Sequence, residues 1–525
     1  MRLRAGRWAR LLTGMGMRPP LFLPLLTLAL YLLWRGYDYA ISDQDEVIPY
    51  LLHLLNPSLY TSDWFVGVQT EAFGPRTLFV WLAWLPARLF GPYLTIAGMY
   101  ILTWWGTASA LYALGLQLTR ERLAAAIGVV LAVLFTPKFT LGGNDIVTWI
   151  LTPSMSAWAL GLWGLVYFVR GRSRRGAVLM GLATWMQALV GLQLALLSGL
   201  LLLWRHGLAS RRTWTFTGVY TLAALPALGP LIWFQLSRLT PKGSWSYFYM
   251  LFEFRAPHHY LPTSFTLESA VGFVILTVLG LSCFRMLPSA QKPLVQRALM
   301  LIAAFCVVGF LCTEVLRVDT VAKLQLFKFT VVAKLLFVIA VSNAIALNVV
   351  KHARRYVEVF FDHGHYALGA TLLLVATLVI VSPDALGLWQ PEAATPPEEV
   401  AIWARDHTDQ DALFAVPPQW AHFRSQAQRA IVINFKAIPF HEPYMTEWFA
   451  RLLDIAPVEL PRRGGLALLQ ALDAAYLALS PDEVRVLADK YGFDYIIRSR
   501  EAVPEGFTVE YESGSWAVWR ILPAS

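Results

Sequence analysis

Charge is scarce in this chain. Asp, Glu, Lys and Arg make up 15% of its 525 residues, against about 25% in an ordinary soluble domain. With 57% hydrophobic residues beside that shortage, a soluble globular protein is excluded for most of the length. Cysteine is scarcer still. The three, Cys283, Cys306 and Cys312, all lie in apolar runs, so a disulfide scaffold is excluded. The first apolar run, Leu21 to Leu33, lacks a small-residue cleavage site, because Arg35, Tyr37 and Asp38 follow it. It therefore reads as an uncleaved first span. Internal repeats and low-complexity stretches are also missing. The formal net charge of +9 does not point to nucleic acid, because the arginines fall mainly in short loops between apolar runs.

What is abundant is long apolar sequence and aromatic residues, including 21 tryptophans, as expected where rings sit at two membrane interfaces. A helical span needs roughly 20 apolar residues. Arg2, Arg4, Arg7, Arg10 and Arg18 precede the first run and put the N-terminus on the cytoplasmic side. A polar loop, residues 36–76, should lie outside. Thr77–Phe90, interrupted by Pro86 and Arg88, reads as interfacial or re-entrant. Further spans are expected at Pro92–Leu118, Leu123–Phe135, Ile150–Val169, two within Gly176–Trp204 (broken near Gln187, Gly191 and Gln193), Trp214–Leu236, Leu267–Phe284, Ala298–Cys312, Leu324–Val349 and Tyr366–Val381. The basic loops, Arg170–Arg175 above all, then share one side, and the count is about eleven.

The composition changes near Pro383. Residues 383–397 read as a linker, giving a membrane domain over 1–382 and a soluble domain over 398–525. Thr395-Pro396-Pro397-Glu398 has the form of a helix start. Ala412–Val416, Ala430–Ile433 and Tyr495–Ile497 read as strands, and Met445–Ile455 as a helix. Ser480-Pro481-Asp482-Glu483 is a capping box. Ser513-Gly514 before Trp516–Ile521 signals a hairpin. The fold class expected is thus an α-helical polytopic membrane protein with a small extracytoplasmic α/β domain at its C-terminal end.

Chemistry is suggested first by the loop Ser42-Asp43-Gln44-Asp45-Glu46. Crowded carboxylates raise one another's pKa, and such a group can abstract a proton or hold a divalent cation. The same acids would equally suit the start of a surface helix. The apolar positions Val47, Ile48, Leu51, Leu52, Leu54 and Leu55 would hold that helix against a membrane. A second carboxylate, Asp145, follows Gly142-Gly143-Asn144, a pattern that also makes a turn. Arg255, His258 and His259 suit a phosphate or a sugar, or a packed loop. Arg317, Lys323 and Lys328 oppose the positive-inside trend, and cations there face a cavity or a partner. They are candidates for a lipid-linked phosphate, with Glu314 and Asp319 as rival partners. In the tail, Arg424, Arg429 and Lys436 flank the strand at Ala430–Ile433, for an anionic ligand or for pairing within the domain.

This layout resembles the GT-C glycosyltransferases, membrane enzymes that use polyprenyl-phosphate-linked sugars. Asp45-Glu46 looks like the acidic pair of their first outer loop. Gly74–Phe90 resembles the helix that follows it, Arg120 and Arg122 the basic turn after span two, and Asp145 a second carboxylate. Bacterial membrane proteins of this type share segments like Arg255–Pro262, Lys323–Lys328 and Pro417-Pro418 through Phe423-Arg424 to Phe435-Lys436. The resemblance implies inverting hexosyl or pentosyl transfer in the bacterial inner membrane. Asp45 would be general base, with Glu46 and Asp145 beside it in the catalytic set. Asp43, Arg255, His258, His259, Arg317, Lys323 and Lys328 would bind substrates. Some members use a divalent cation, Mg or Mn, for which Asp45 and Asp145 are the candidate ligands here. The donor would be a polyprenyl-phosphate sugar and the acceptor a glycan, lipid or protein. The rival classes are a transporter or channel, with Lys334 and Gln187 along a path, and a noncatalytic scaffold whose tail is a binding module.

Overall fold

A computed structural model describes residues 22–237, 245–359, 394–500 and 503–522. The expected span at Tyr366–Val381, the basic N-terminus and most of the linker lie outside the described residues. Contacts divide the chain into two compact units. The first gathers Met1–Tyr37, Ala97–Leu228 and His258–Trp389, and the second Asp38–Ile96, Gly229–Pro257 and Gln390–Ser525. The first long loop thus belongs with the C-terminal domain.

The helices run α1 Phe22–Arg35, α2 Ile48–Leu55, α3 Trp64–Glu71, α4 Thr77–Phe90, α5 Pro92–Thr119, α6 Arg122–Val130, α7 Pro153–Val169, α8 Ser173–Met186, α9 Ala188–His206, α10 Arg211–Ser237, α11 Leu267–Cys283, α12 Lys292–Phe310 and α13 Thr330–Val359, with short helical turns between some of them. Among the described residues, five segments are long and apolar enough to cross a membrane by length and composition: Ala188–His206, Arg211–Phe234, Leu267–Met286, Lys292–Val315 and Asp319–Val349. Shorter apolar helices include α1, α4, α7 and Arg122–Phe135.

The first unit packs through small residues. A Cβ on Gly176 of α8 would meet the Gly164 carbonyl oxygen of α7 at 2.8 Å, and one on Gly181 would meet Ala223 Cβ at 2.4 Å. Such contacts let helix backbones approach where lipid gives no hydrophobic drive. The expected break at Gln187 is present, with extended φ −152, ψ 114, and its side chain caps α9 through Val190 N at 3.1 Å. The expected span Leu324–Val349 falls within the apolar segment Asp319–Val349; at its start Gln325 is left-handed (φ 46, ψ 56) and a 3-10 turn, Leu326–Phe329, precedes α13. Gln193 Nε2 donates to the Leu324 and Gln325 carbonyls at 2.7 and 3.1 Å and holds this strap.

The tail continues with α14 Pro396–His407, β1 Leu413–Ala415, α15 Phe423–Ala427, β2 Ala430–Ile431, α16 Glu442–Ile455, α17 Leu469–Leu477, α18 Pro481–Tyr491, β3 Tyr495–Ser499, β4 Phe507–Ser513 and β5 Trp516–Ile521. The sheet order is β2-β1-β3-β5-β4. β1 is parallel to β2 and β3, and the last three strands are antiparallel. Val400, Phe414, Trp420, Phe423, Ile497 and Val518 build the core. Capping boxes at Thr395 and Ser480 open α14 and α18. Gly514, at φ 56, begins the two-residue hairpin loop, a position that requires positive φ.

Candidate functional site

The acids of the first loop sit on a short 3-10 turn, Ser42–Glu46. Two residues near it are held in left-handed backbone, Ala40 at φ 64 and Ser42 at φ 52, a conformation costly for side chains with a Cβ. The turn persists because its surroundings over-determine it. Gln44 Oε1 accepts from Ala40 N at 2.7 Å, and Ala40, Ile48, Leu52, Leu59, Tyr60 and Val66 close an apolar cluster beneath it. The apolar face expected for α2 is thereby spent on this core.

Each acid of the turn meets a cation. Arg424 Nη1 donates to Asp45 Oδ2 at 2.9 Å, and its Nε to Asp63 Oδ2 at 2.8 Å. The Asp45 and Asp63 side chains are 0% exposed and that of Arg424 1%. Asn434 Nδ2 donates to Asp45 Oδ2 at 2.8 Å and Ser425 Oγ to Oδ1 at 3.3 Å. Asp63 also accepts from Ile431 N at 3.0 Å and caps α3 through Val66 N at 2.9 Å. Tyr60 Oη donates to the Arg424 carbonyl at 2.9 Å. Lys436 pairs with Asp43, and Arg76 with Glu46.

Burial pushes the Asp45 carboxyl above the usual carboxylate range, although Arg424 and Asn434 draw it down. Burial also works against the Arg424 charge, but Asp63 and Asp45 beside it hold the guanidinium above its ordinary value. A buried pair of this kind persists only when its remaining donors and acceptors are satisfied, and here the tail supplies them.

The other residues singled out in the sequence separate into different settings. Arg255, in the second unit, donates to the Lys436 carbonyl at 3.0 Å and lies over the Phe435 ring at 4.7 Å, so it shapes the chain leaving β2. In the first unit, His259 Nδ1 lies 2.8 Å from the Gly142 carbonyl, and the His258 and His259 rings are 4.1 Å apart. Asp145 accepts from Lys334 Nζ at 2.8 Å, Ile146 N at 2.7 Å and Lys138 N at 2.7 Å. Its partner Lys334 is fully buried. Glu314 accepts from Thr263 N and Oγ1 at 3.0 and 2.6 Å. Lys323 and Arg317 are exposed, whereas Lys328 is buried in its 3-10 turn. Among the described residues, no three His, Cys, Asp or Glu side chains gather as a metal site.

Sequence reading missed Asp63, Ser425 and Asn434. Asp63 carried a local signal, an acid directly before a helix, but its partner Arg424 is 361 positions away. Arg429, weighed beside Arg424, turns instead to Thr408 and the Arg405 carbonyl.

A family model described as a domain of unknown function (DUF6798) matches residues 396–455. No curated protein matches. Among solved structures, the chain is similar to the oligosaccharyltransferase of Archaeoglobus fulgidus, at 13% identity over 94% of this chain and 70% of that one, with a TM-score of 0.46. It is similar to the arabinofuranosyltransferase AftD from Mycobacteria at 14% identity and a TM-score of 0.47, over 96% of this chain but only 40% of that one. It is similar to ArnT of Cupriavidus metallidurans, solved with undecaprenyl phosphate, at 12% identity over 98% of both chains, with a TM-score of 0.49.

Proposed function

We propose that this chain is a membrane glycosyltransferase that moves a sugar from a polyprenyl-phosphate donor to an acceptor hydroxyl, with inversion, and that Asp45 is its general base. The observation that carries the reading is the acid turn after α1, where each carboxylate meets a cation and Asp45 is raised above the usual carboxylate range. A carboxyl raised above its usual range is a stronger base than an ordinary carboxylate. Asp45 takes the proton of the acceptor hydroxyl, the hydroxyl oxygen bonds to the anomeric carbon, and the bond from that carbon to the phosphate oxygen breaks. The electron pair leaves on polyprenyl phosphate, which needs positive charge rather than a strong acid. Arg317, Lys323 and Lys328 are assigned that role. The chain is assigned to the bacterial inner membrane, with its N-terminus inside and its tail outside.

Asp45 is fully enclosed in this arrangement. Transfer therefore requires the Ser425–Asn434 side of the tail to withdraw from it. The same enclosure favours a second reading, a noncatalytic scaffold in which Asp45 is only a keystone between the loop and the tail. Reconstituted wild-type chain separates the two. With a radiolabelled mixture of bacterial polyprenyl-phosphate sugars, a transferase releases polyprenyl phosphate when membrane-extract glycans and lipids are added. No release above protein-free vesicles would favour the scaffold.

A further inference from the structure

A groove lies in the second unit, lined among others by Phe65, Gln69, Arg76, Ile438, Phe440 and His441. Its chemistry is mixed. The Gln69 carbonyl oxygen Oε1 is buried and has no hydrogen-bond partner among the described residues. An unmet acceptor of this kind costs about 1–3 kcal/mol, which a hydroxyl donor would offset. The other end of that amide is fixed, because Nε2 donates to the Glu46 carbonyl at 2.8 Å. The acceptor is therefore held in one orientation.

Arg76 also lines the groove. Its guanidinium is paired with Glu46 and lies 5.5 Å from the centre of the Phe440 ring. The pairing neutralises the cation, so the groove offers little attraction to an anion. Neighbouring side chains support the walls. Tyr247 Oη donates to the Phe440 carbonyl at 3.2 Å, and His441 packs on Phe234 with ring centres 4.4 Å apart. An apolar ligand would leave Gln69 unsatisfied, and a phosphate would meet a cation already paired.

We propose that this groove binds a neutral sugar unit of the acceptor glycan, a hydroxyl donating to Gln69 Oε1 and the sugar's C–H face lying on Phe440. The word acceptor rests on the transferase reading, whereas the binding does not. Gln69 and Arg76 both bond to Glu46, the residue after Asp45, so an occupant would sit against the turn that carries the base.

The test uses the full chain in lipid nanodiscs on an array of neutral, phosphorylated and uronic-acid oligosaccharides from bacterial envelopes. Wild type should bind neutral members. Gln69→Met and Phe440→Leu should each weaken that binding at least tenfold, with melting temperatures unchanged. Binding to charged members alone, no binding at all, or wild-type affinity in both variants would overturn the proposal. Release of polyprenyl phosphate without array binding removes the groove and leaves transfer standing. Array binding without release does the reverse.

Discussion

Arg424 pairs with two buried carboxylates, Asp45 and Asp63, so its removal has a definite cost. Arg424→Met leaves Asp45 and Asp63 enclosed without a counter-charge, and breaking a buried pair in this way costs about 3–5 kcal/mol. Thermal unfolding of the purified full chain should register it as a large drop in melting temperature. Adding Asp45→Asn and Asp63→Asn to that variant should recover most of the drop, since no charge is then left unpaired. A triple variant as unstable as Arg424→Met would mean that packing, not charge, is what the arginine supplies. Asp473 offers a second residue-level test. Burial pushes its carboxyl up to about 6 from an ordinary 3.8, against a backbone hydrogen bond from Gln419 N at 3.1 Å. A raised folded value favours the fold below pH 4, and that favour is lost as pH rises through about 6. Wild-type stability should therefore fall between pH 4 and 6. Asp473→Asn should flatten that slope and raise stability at pH 7 by about 1 kcal/mol after solvent screening.

At the scale of elements, the sequence was most legible where a local signal decides the outcome. Thr395, Ser480 and Gly514 mark a cap, a cap and a turn by their own chemistry, and each element appears where they predict it. Gln187 likewise breaks α8 from α9 within an otherwise continuous apolar run. The strap before α13 was not legible. Leu324 to Phe329 is as apolar as a helix, and only the left-handed Gln325, held from α9 by Gln193, stops it. The acid site was half legible for the same reason. Asp43, Asp45 and Glu46 are adjacent in sequence, but Arg424, Asn434 and Lys436 reach them only through tertiary folding. The glycine contact between α7 and α8 gives this scale its prediction. Gly176→Leu inserts a side chain where a Cβ would already lie 2.8 Å from the Gly164 backbone oxygen. It should lower the melting temperature in detergent far more than Gly171→Leu, although Gly171 has φ +76, because a Cβ there meets nothing within 4 Å. Equal effects would refute close helix packing as the reason for glycine.

For the whole molecule, the division into two units changes what a soluble tail means. Residues 38–96 share a unit with the tail, so the tail and the acid turn should lie on one side of the membrane. A phosphatase fused after Ser525 should be active outside the cytoplasm and a cytoplasm-only reporter silent, and the opposite pair would reverse the topology. The assignment of Lys328 to the donor phosphate makes a separate demand. Lys328→Gln should weaken binding of a polyprenyl-phosphate sugar several-fold while leaving the melting temperature near wild type. Unchanged affinity there and in Lys323→Gln would move attention to Arg255 and His258. In the proposed mechanism Asp45 removes the acceptor's proton. The most direct measurement of that step is the rate of polyprenyl phosphate release by wild type and by Asp45→Asn in the same vesicles, with folding matched by thermal unfolding. Asp45→Asn should slow release by about 100-fold or more, and equal rates would rule out Asp45 as the base.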